Sequence, residues 1–453
     1  MIDVTLLLQM VVAIFAAVLI YVFIGFIPGT DETSVLMPIT LTLVLTGVQP
    51  MVVLAFFISA IVTLNLTNTM PTALVGLPGG VMSSPMIEHS ILLKNNGKSA
   101  TIIRKMAAAS FLGVLVSLPT SLVLASLLAP YGSLIQPYAS YLFVFGAIFL
   151  SLISKHKVLS LLSIIPLAIL FQSLRHLYWG LNVVDANVNI TTSFFLGITI
   201  GPLMVSLFSL LNKDTKQKME TDQKKEIIIP YESKQPLNPF KLLTKKEAIT
   251  ASVSAFFSNF LFVLSPVGLT ILFGETVGNR FKKPIEKATM SITTMSAMVQ
   301  STYLSQVIIP LIALGIPLSP VAIGPAAALF NATGVFTIEN NIHHMLTLPQ
   351  FVLAITMASL VALVVVYVLI HRYASRITKV ILTYIPHEAV LGVFVALILL
   401  LSYMDAGIIN VFGVLLIGLT AGTLNKMGVN YGVQFMTLYA ASFIVSTLAG
   451  WSM

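Results

Sequence analysis

Two stretches of this 453-residue chain place helix-breaking residues and hydrogen-bonding side chains together inside apolar sequence. One is "NLTNTMPTALVGLPGGVMSSP", residues 65 to 85; the other is "QSTYLSQVIIPLIALGIPLSP", residues 300 to 320. Proline removes a backbone donor and glycine loosens the chain, so a helix in hydrocarbon that carries both exposes N–H and C=O groups that lipid cannot satisfy. Such breaks are tolerated where protein or water surrounds them. There, half-helix N-termini can meet an anion while freed carbonyls hold a cation. Around these breaks the candidate substrate-binding residues are Asn65, Thr67, Asn68, Gly79, Gly80, Ser83 and Ser84 in the first stretch, and Thr302, Gln306, Gly315 and Ser319 in the second. For any one of the hydroxyl or amide side chains, the competing reading is a plain hydrogen bond between packed helices.

An earlier break, "GFIPGTDETS" around Pro28, supplies Gly29, Thr30, Thr33 and Ser34 as candidates for a coupling ion, Na+ or H+. Asp31 and Glu32 follow it, Glu88 and His89 follow the first Gly-Leu-Pro, and Glu275 follows a matching break near Pro266. An ionisable group within a membrane is a functional candidate by default, yet each of these could instead sit at the membrane surface. Enzyme signatures fail on their key residues. "HEAVL" at 387 to 391 has Leu391 where a zinc-protease helix needs its second histidine, and "ENNIHH" offers Glu339 and His343 only as a lone pair. No phosphate-cradling G-x-x-x-x-G-K-[ST] occurs, so the reading is a non-enzyme with no cofactor and no bound metal beyond a coupling ion.

These sites need an architecture to position them, and composition supplies its class. With 57% hydrophobic and 9% charged residues, against about 25% charged in soluble domains, the chain reads as an all-α polytopic membrane protein. Segments such as 6 to 27, 351 to 370 and 389 to 404 reach or approach the roughly 20 residues that span the hydrocarbon core. Ten to twelve such spans are expected, some of them broken or re-entrant. Asp3 stands where a signal peptide would carry positive charge, so the first span is expected to remain. There is no cysteine, hence no disulfide or thiolate site. The net charge of +8 lies in short loops, including Lys94, Lys98, Arg104 and Lys105, where it sets orientation in the membrane; nucleic acid is not an expected partner.

The breaks also repeat. "PTALVGLP" (71 to 78) and "PLIALGIP" (310 to 317) match at Pro, Gly and Pro with starts 239 residues apart, and Pro28 and Pro266 lie 238 apart. Two landmarks in one register predict two related halves, 1–211 and 248–453, as in duplicated transporter folds. Between them, 212–247 holds nine lysines and six acids and reads as a polar cytoplasmic linker. An anionic-lipid or regulatory patch is the alternative for that segment.

Several of these stretches resemble the TctA family, the large membrane subunit of tripartite tricarboxylate transporters. "FIPG" (26 to 29) is similar to the family's Leu-Pro-Gly turn; in "LPGGVMSSPMIEHSILLKNNGKSA", Pro78, Gly79, Ser83, Gly97 and Lys98 fall where the family has Pro, Gly, Ser, Gly and Arg. "IPLIALGIPLSPVAIGPAAALF" (309 to 330) and the basic "NRFKKPIEKA" (279 to 288) resemble family segments of the second half. His89 and Ser90 replace the family's Asp-Gly, and Leu318 replaces a glycine. The resemblance implies an ion-gradient-coupled permease of the cytoplasmic membrane that takes up small organic anions, di- or tricarboxylates. It also implies a small membrane subunit and an extracytoplasmic solute-binding protein as partners. A scaffold or lipid-handling protein of the same fold, with a decayed substrate site, is the competing reading.

Overall fold

In the computed structural model, residues 3–76, 79–154, 156–185, 190–209, 236–385 and 387–451 are described. They are overwhelmingly helical, with no β-strand beyond isolated bridges such as Ala332 to Phe336. A backbone in hydrocarbon must satisfy its own polar groups, and a helix does so within one segment. The chain is an all-α polytopic membrane protein. Among the described residues, eight helical stretches are long and apolar enough to cross a membrane. Three shorter apolar helices accompany them.

In chain order the helices include α1 (Val4–Gly25), α2 (Glu32–Leu45), α3 (Pro50–Thr67), α4 (Thr69–Val75), α5 (Ile87–Asn95), α6 (Ser99–Leu128), α7 (Ala139–Ile153), α8 (Lys157–Gly180) and α9 (Thr191–Ser209). After the linker region come α10 (Lys245–Ser258), α11 (Pro266–Gly278), α12 (Pro284–Ile309), α13 (Pro320–Ile323), α14 (Leu348–Tyr384), α15 (His387–Lys426) and α16 (Tyr431–Trp451). Short polar side chains fix where many of them begin. Asp31 accepts a hydrogen bond from Ser34 N at 3.0 Å to start α2, and Ser265 accepts one from Gly268 N at 3.2 Å to start α11. Thr244 and Glu247 exchange bonds in a capping box ahead of α10. The last residues of the expected linker therefore already belong to structure: 239–242 is helical and α10 starts at Lys245, while 212–235 lies outside the described residues.

The centre is formed by α3 and α12, both almost wholly buried despite their polar residues. Helices from opposite ends of the sequence cover them, α14 lying on α3 and α6 on α12. The exchange continues at the periphery, where α9 packs on α15 and α16 packs on α7 and α8. Gly197 and Gly201 on α9 face Gly418 and Gly422 on α15 so closely that a Cβ at Gly201 would meet the Gly422 backbone. Small residues spaced four apart permit this approach where lipid supplies no hydrophobic drive between helices. On the outside, α1 exposes Leu8, Val12, Phe15, Leu19 and Phe23, a face suited to hydrocarbon.

Both Pro-Gly-Pro motifs end their helices in the same way. Gly76 (φ 79°) closes α4 with its N–H donating to Thr72 O, and Gly315 (φ 67°) closes the wide turn Pro310–Leu314 with its N–H donating to Pro310 O. Positive φ is the conformation glycine supplies without strain. A third interruption, at Ala406 and Gly407, bends α15 just beyond the apolar span 389 to 404.

Candidate functional site

A cavity of about 570 Å³ lies where the breaks meet. Gly29 to Thr33 line it from the first break, Gly80, Val81, Met82 and Ser84 from the segment after the first Gly-Leu-Pro, and Ser265, Pro266 and Val267 from the matching break near α11. Tyr303 of α12, Pro320 and Val321 of α13, and the turn from Asn425 to Gly432 add to the wall, with apolar residues such as Leu150, Ile153 and Phe435. Five helical segments begin on this cavity: α2 at Glu32, a 3-10 turn at Val81, α11 at Pro266, α13 at Pro320 and α16 at Tyr431. The first residues of all five lie in its wall, and the chain's own side chains cap their backbone N–H groups: Asp31 for α2, Glu32 for the 3-10 turn, Ser265 for α11, Ser319 for α13 and Asn430 for α16. The described lining contains no lysine, arginine or histidine, and its two charged residues are Asp31 and Glu32.

At the first break the backbone is tied across 49 residues. Thr30 donates to Gly79 O through both its N–H (3.0 Å) and its hydroxyl (3.1 Å). Glu32, only 3% exposed, reaches the start of the 3-10 turn and accepts from Val81 N at 3.3 Å and Met82 N at 3.2 Å. Asn68 Nδ2 donates to the same carboxylate at 3.3 Å. A buried carboxylate of this chain thus occupies the helix-start position at which the sequence reading placed substrate. At the second break a neutral side chain has the matching task. Gln306 Nε2 donates to Leu264 O at 2.8 Å, and its Oε1 accepts from Val321 N at 3.3 Å. Ser319 caps α13 by accepting from Ala322 N at 3.1 Å and donates to Gln306 O.

The sequence-derived candidates fall into distinct places. Gly29, Thr30, Thr33, Gly80 and Ser84 line the cavity. Ser34 lies just behind it, donating to Thr199 O at 2.9 Å and to Asp31 Oδ1 at 3.1 Å. Gly79 N donates to Thr72 Oγ1 at 3.4 Å, and Ser83 Oγ accepts from Gly80 N at 3.1 Å, so these tip amides already have partners within the protein. Asn68, Gln306 and Ser319 brace the cavity-facing segments from behind. Thr67 and Thr302 turn their hydroxyls to helix carbonyls, Thr63 O at 2.8 Å and Met298 O at 2.7 Å. Asn65 is buried with neither side-chain polar atom partnered. Gly315 lies apart, its carbonyl accepting from Asn341 Nδ2 at 2.9 Å and its α-carbon facing His343 and Gln136. Pro78 and the side chains of His387 and Glu388 lie outside the described residues.

Of the ionisable groups left open between site and surface, Asp31 and Glu32 belong to the cavity, Glu88 is exposed, and His89 pairs with Glu275 at 2.6 Å. Among the described residues no group of three or more His, Asp or Glu side chains is placed to hold a metal. Sequence reasoning passed over Asn425, Asn430 and Tyr431. Their signal was present, because "NKMGVNYG" interrupts two apolar runs with the Asn and Gly residues of a break.

A family model described as the tripartite tricarboxylate transporter TctA family matches residues 11–434, nearly the whole chain. The chain belongs to the TctA family. It is thus a member of a family of transporter components, and its apolar helices make it a multi-pass membrane protein. No curated protein and no solved structure matches it.

Proposed function

We propose that this TctA-family chain is the permease of a secondary transporter that takes up small organic anions, di- or tricarboxylates, by coupling to a Na+ or H+ gradient across the cytoplasmic membrane. The observation that carries the reading is the convergence of helix starts, among them those of α2, α11 and α16, on one cavity that carries hydroxyl, amide and carboxylate side chains. The partial positive charge of helix N-termini favours an anion without a basic side chain, and Thr33, Asn425 and Asn430 bring hydroxyl and amide groups to the same wall. A carboxylate ligand entering beside Asp31 and Glu32 needs accompanying positive charge, which is what coupling to a cation provides.

The two halves, 1–211 and 248–453, act in this reading as repeats that contribute matching breaks to the shared site. The shared sequence register, the left-handed glycines and the exchanged packing of α6 and α14 support it. A small membrane subunit and an extracytoplasmic solute-binding protein are the partners the family's tripartite systems suggest. The test is uptake of labelled di- and tricarboxylates into proteoliposomes under imposed Na+ or H+ gradients, with and without such partners. Gradient-dependent accumulation is expected. Its absence for every carboxylate, with correctly inserted protein and partners present, would overturn the proposal.

A further inference from the structure

The first break holds a buried charge that the cavity does not balance, and we propose that Glu32 and the side-chain amide of Asn68 form a binding site for a monovalent cation of the Na+ type. As a coupling site this rests on the carrier reading above; as a binding site it does not.

Glu32 accepts three hydrogen bonds, each between 3.2 and 3.3 Å. Donors to a carboxylate ordinarily approach to about 2.7–2.9 Å, so this shell is loose for an anion. No basic side chain lines the cavity with it, and the two described ion pairs, Lys105 with Glu247 and His89 with Glu275, engage other carboxylates. Burying a carboxylate without a counter-charge is costly, which leaves a place for one positive charge. Asp31 beside it is directed elsewhere, capping α2 through Ser34 N and Oγ.

The second observation is on Asn68. This residue is 1% exposed, its Nδ2 faces Glu32, and its Oδ1 has no partner. The two ends of a side-chain amide are interchangeable by a half turn. That turn brings Oδ1 to the position now 3.3 Å from Glu32 Oε1. Two oxygens at that separation subtend roughly a right angle at a cation about 2.4 Å from each, the angle of octahedral oxygen coordination. Gly80 keeps the position open, because a Cβ there would collide with both Glu32 Oε1 and Asn68 Nδ2. One turn earlier on the same face of α3, Asn65 has both polar atoms unpartnered as well. With Asp31 engaged in the α2 cap, Glu32 is the one carboxylate paired with the Asn68 amide and balances one positive charge, hence a monovalent ion.

The experiment uses the full-length chain purified in detergent. Thermal unfolding is followed while NaCl replaces choline chloride at constant ionic strength, for the wild type, Glu32→Gln and Asn68→Ala. Expected is a saturable rise in Tm with Na+ that choline does not give, and an apparent affinity weakened about tenfold or more in either variant. Equal responses to Na+ and choline would overturn the site, as would wild-type affinity in both variants. A response to pH with none to Na+ would overturn it in favour of protonation of Glu32. Should Glu32→Gln not yield folded protein, Asn68→Ala decides. Uptake without Na+-specific stabilisation removes this site and leaves the carrier; Na+-specific stabilisation without uptake under any gradient removes the carrier and leaves this site.

Discussion

At the first break the segment beginning at Val81 rests on Glu32, a charged side chain from another helix start, whereas at the second the segment beginning at Pro320 rests on Gln306, a neutral side chain of the helix that leads into the turn. The backbone device is otherwise shared: a left-handed glycine ends one helix, and a side-chain acceptor meets the N–H groups of the next. An amide offers both a donor and an acceptor, so Gln306 can clamp Leu264 O and Val321 N with no charge to bury. A carboxylate can only accept, and its burial depends on what neutralises it. One break is therefore suited to hold its shape and the other to respond to an ion.

The sharpest test of that asymmetry is steric. Gly79 lies against Asn68 so closely that a Cβ would collide with the Asn68 backbone carbonyl, while Leu318, 239 residues on, already carries a large side chain. Gly79→Val is expected to eliminate monodisperse protein on size-exclusion chromatography, because backbone cannot rotate aside as a side chain can. Leu318→Val should leave the elution profile close to wild type. A well-behaved Gly79→Val protein would mean that the two breaks share more freedom than their contacts allow.

Removing each acceptor compares the clamps directly. Glu32→Leu strands two buried donors, Met82 N and Asn68 Nδ2, and the half-buried Val81 N, and at about 1–3 kcal/mol per unsatisfied buried group should destabilise by roughly 3 kcal/mol. Gln306→Leu strands Val321 N and Leu264 O and should cost on the order of 2 kcal/mol. Thermal unfolding of both variants in one detergent gives the ranking, with Glu32→Leu the lower. The reverse order would place the principal structural clamp at the second break.

How much of this was legible in the sequence follows from the range of each interaction. Breaks announce themselves locally: the Pro-Gly pattern marks the interruptions at Gly29, Gly76 and Gly315, and all three glycines have positive φ. The partner of a break is not local: Glu32 meets Met82 across 50 residues, and nothing in "PGTDETS" tells whether its acids turn inward or to the membrane surface. Hydroxyls mislead for the same reason. Thr67 and Thr302 sit in the right stretches, yet their nearest carbonyls belong to their own helices. The bend at Ala406 and Gly407 falls just past the apolar span 389 to 404, where the Asp-Ala-Gly run at 405 to 407 carries a turn signal.

The smallest expected difference lies between two serines. Ser83 Oγ bonds within its own turn, accepting from Gly80 N and donating to Gly80 O at 3.0 Å. Ser319 Oγ accepts from Ala322 N and donates to Gln306 O, so it joins α13 to α12 as well as capping it. A lost cap costs about 0.5–2 kcal/mol, and both alanine variants should fall in that range. Ser319→Ala should lie toward its upper end, because it also frees a carbonyl on the residue whose side chain clamps the second break. Combining it with Gln306→Leu should cost less than the two single effects added, since the residues share one network. For Ser83→Ala with Gln306→Leu the effects should add, as the two sit at different breaks. Thermal shifts of the three single and two double variants measure this coupling, and additivity in the Ser319 pair would show that its bond to Gln306 O contributes nothing.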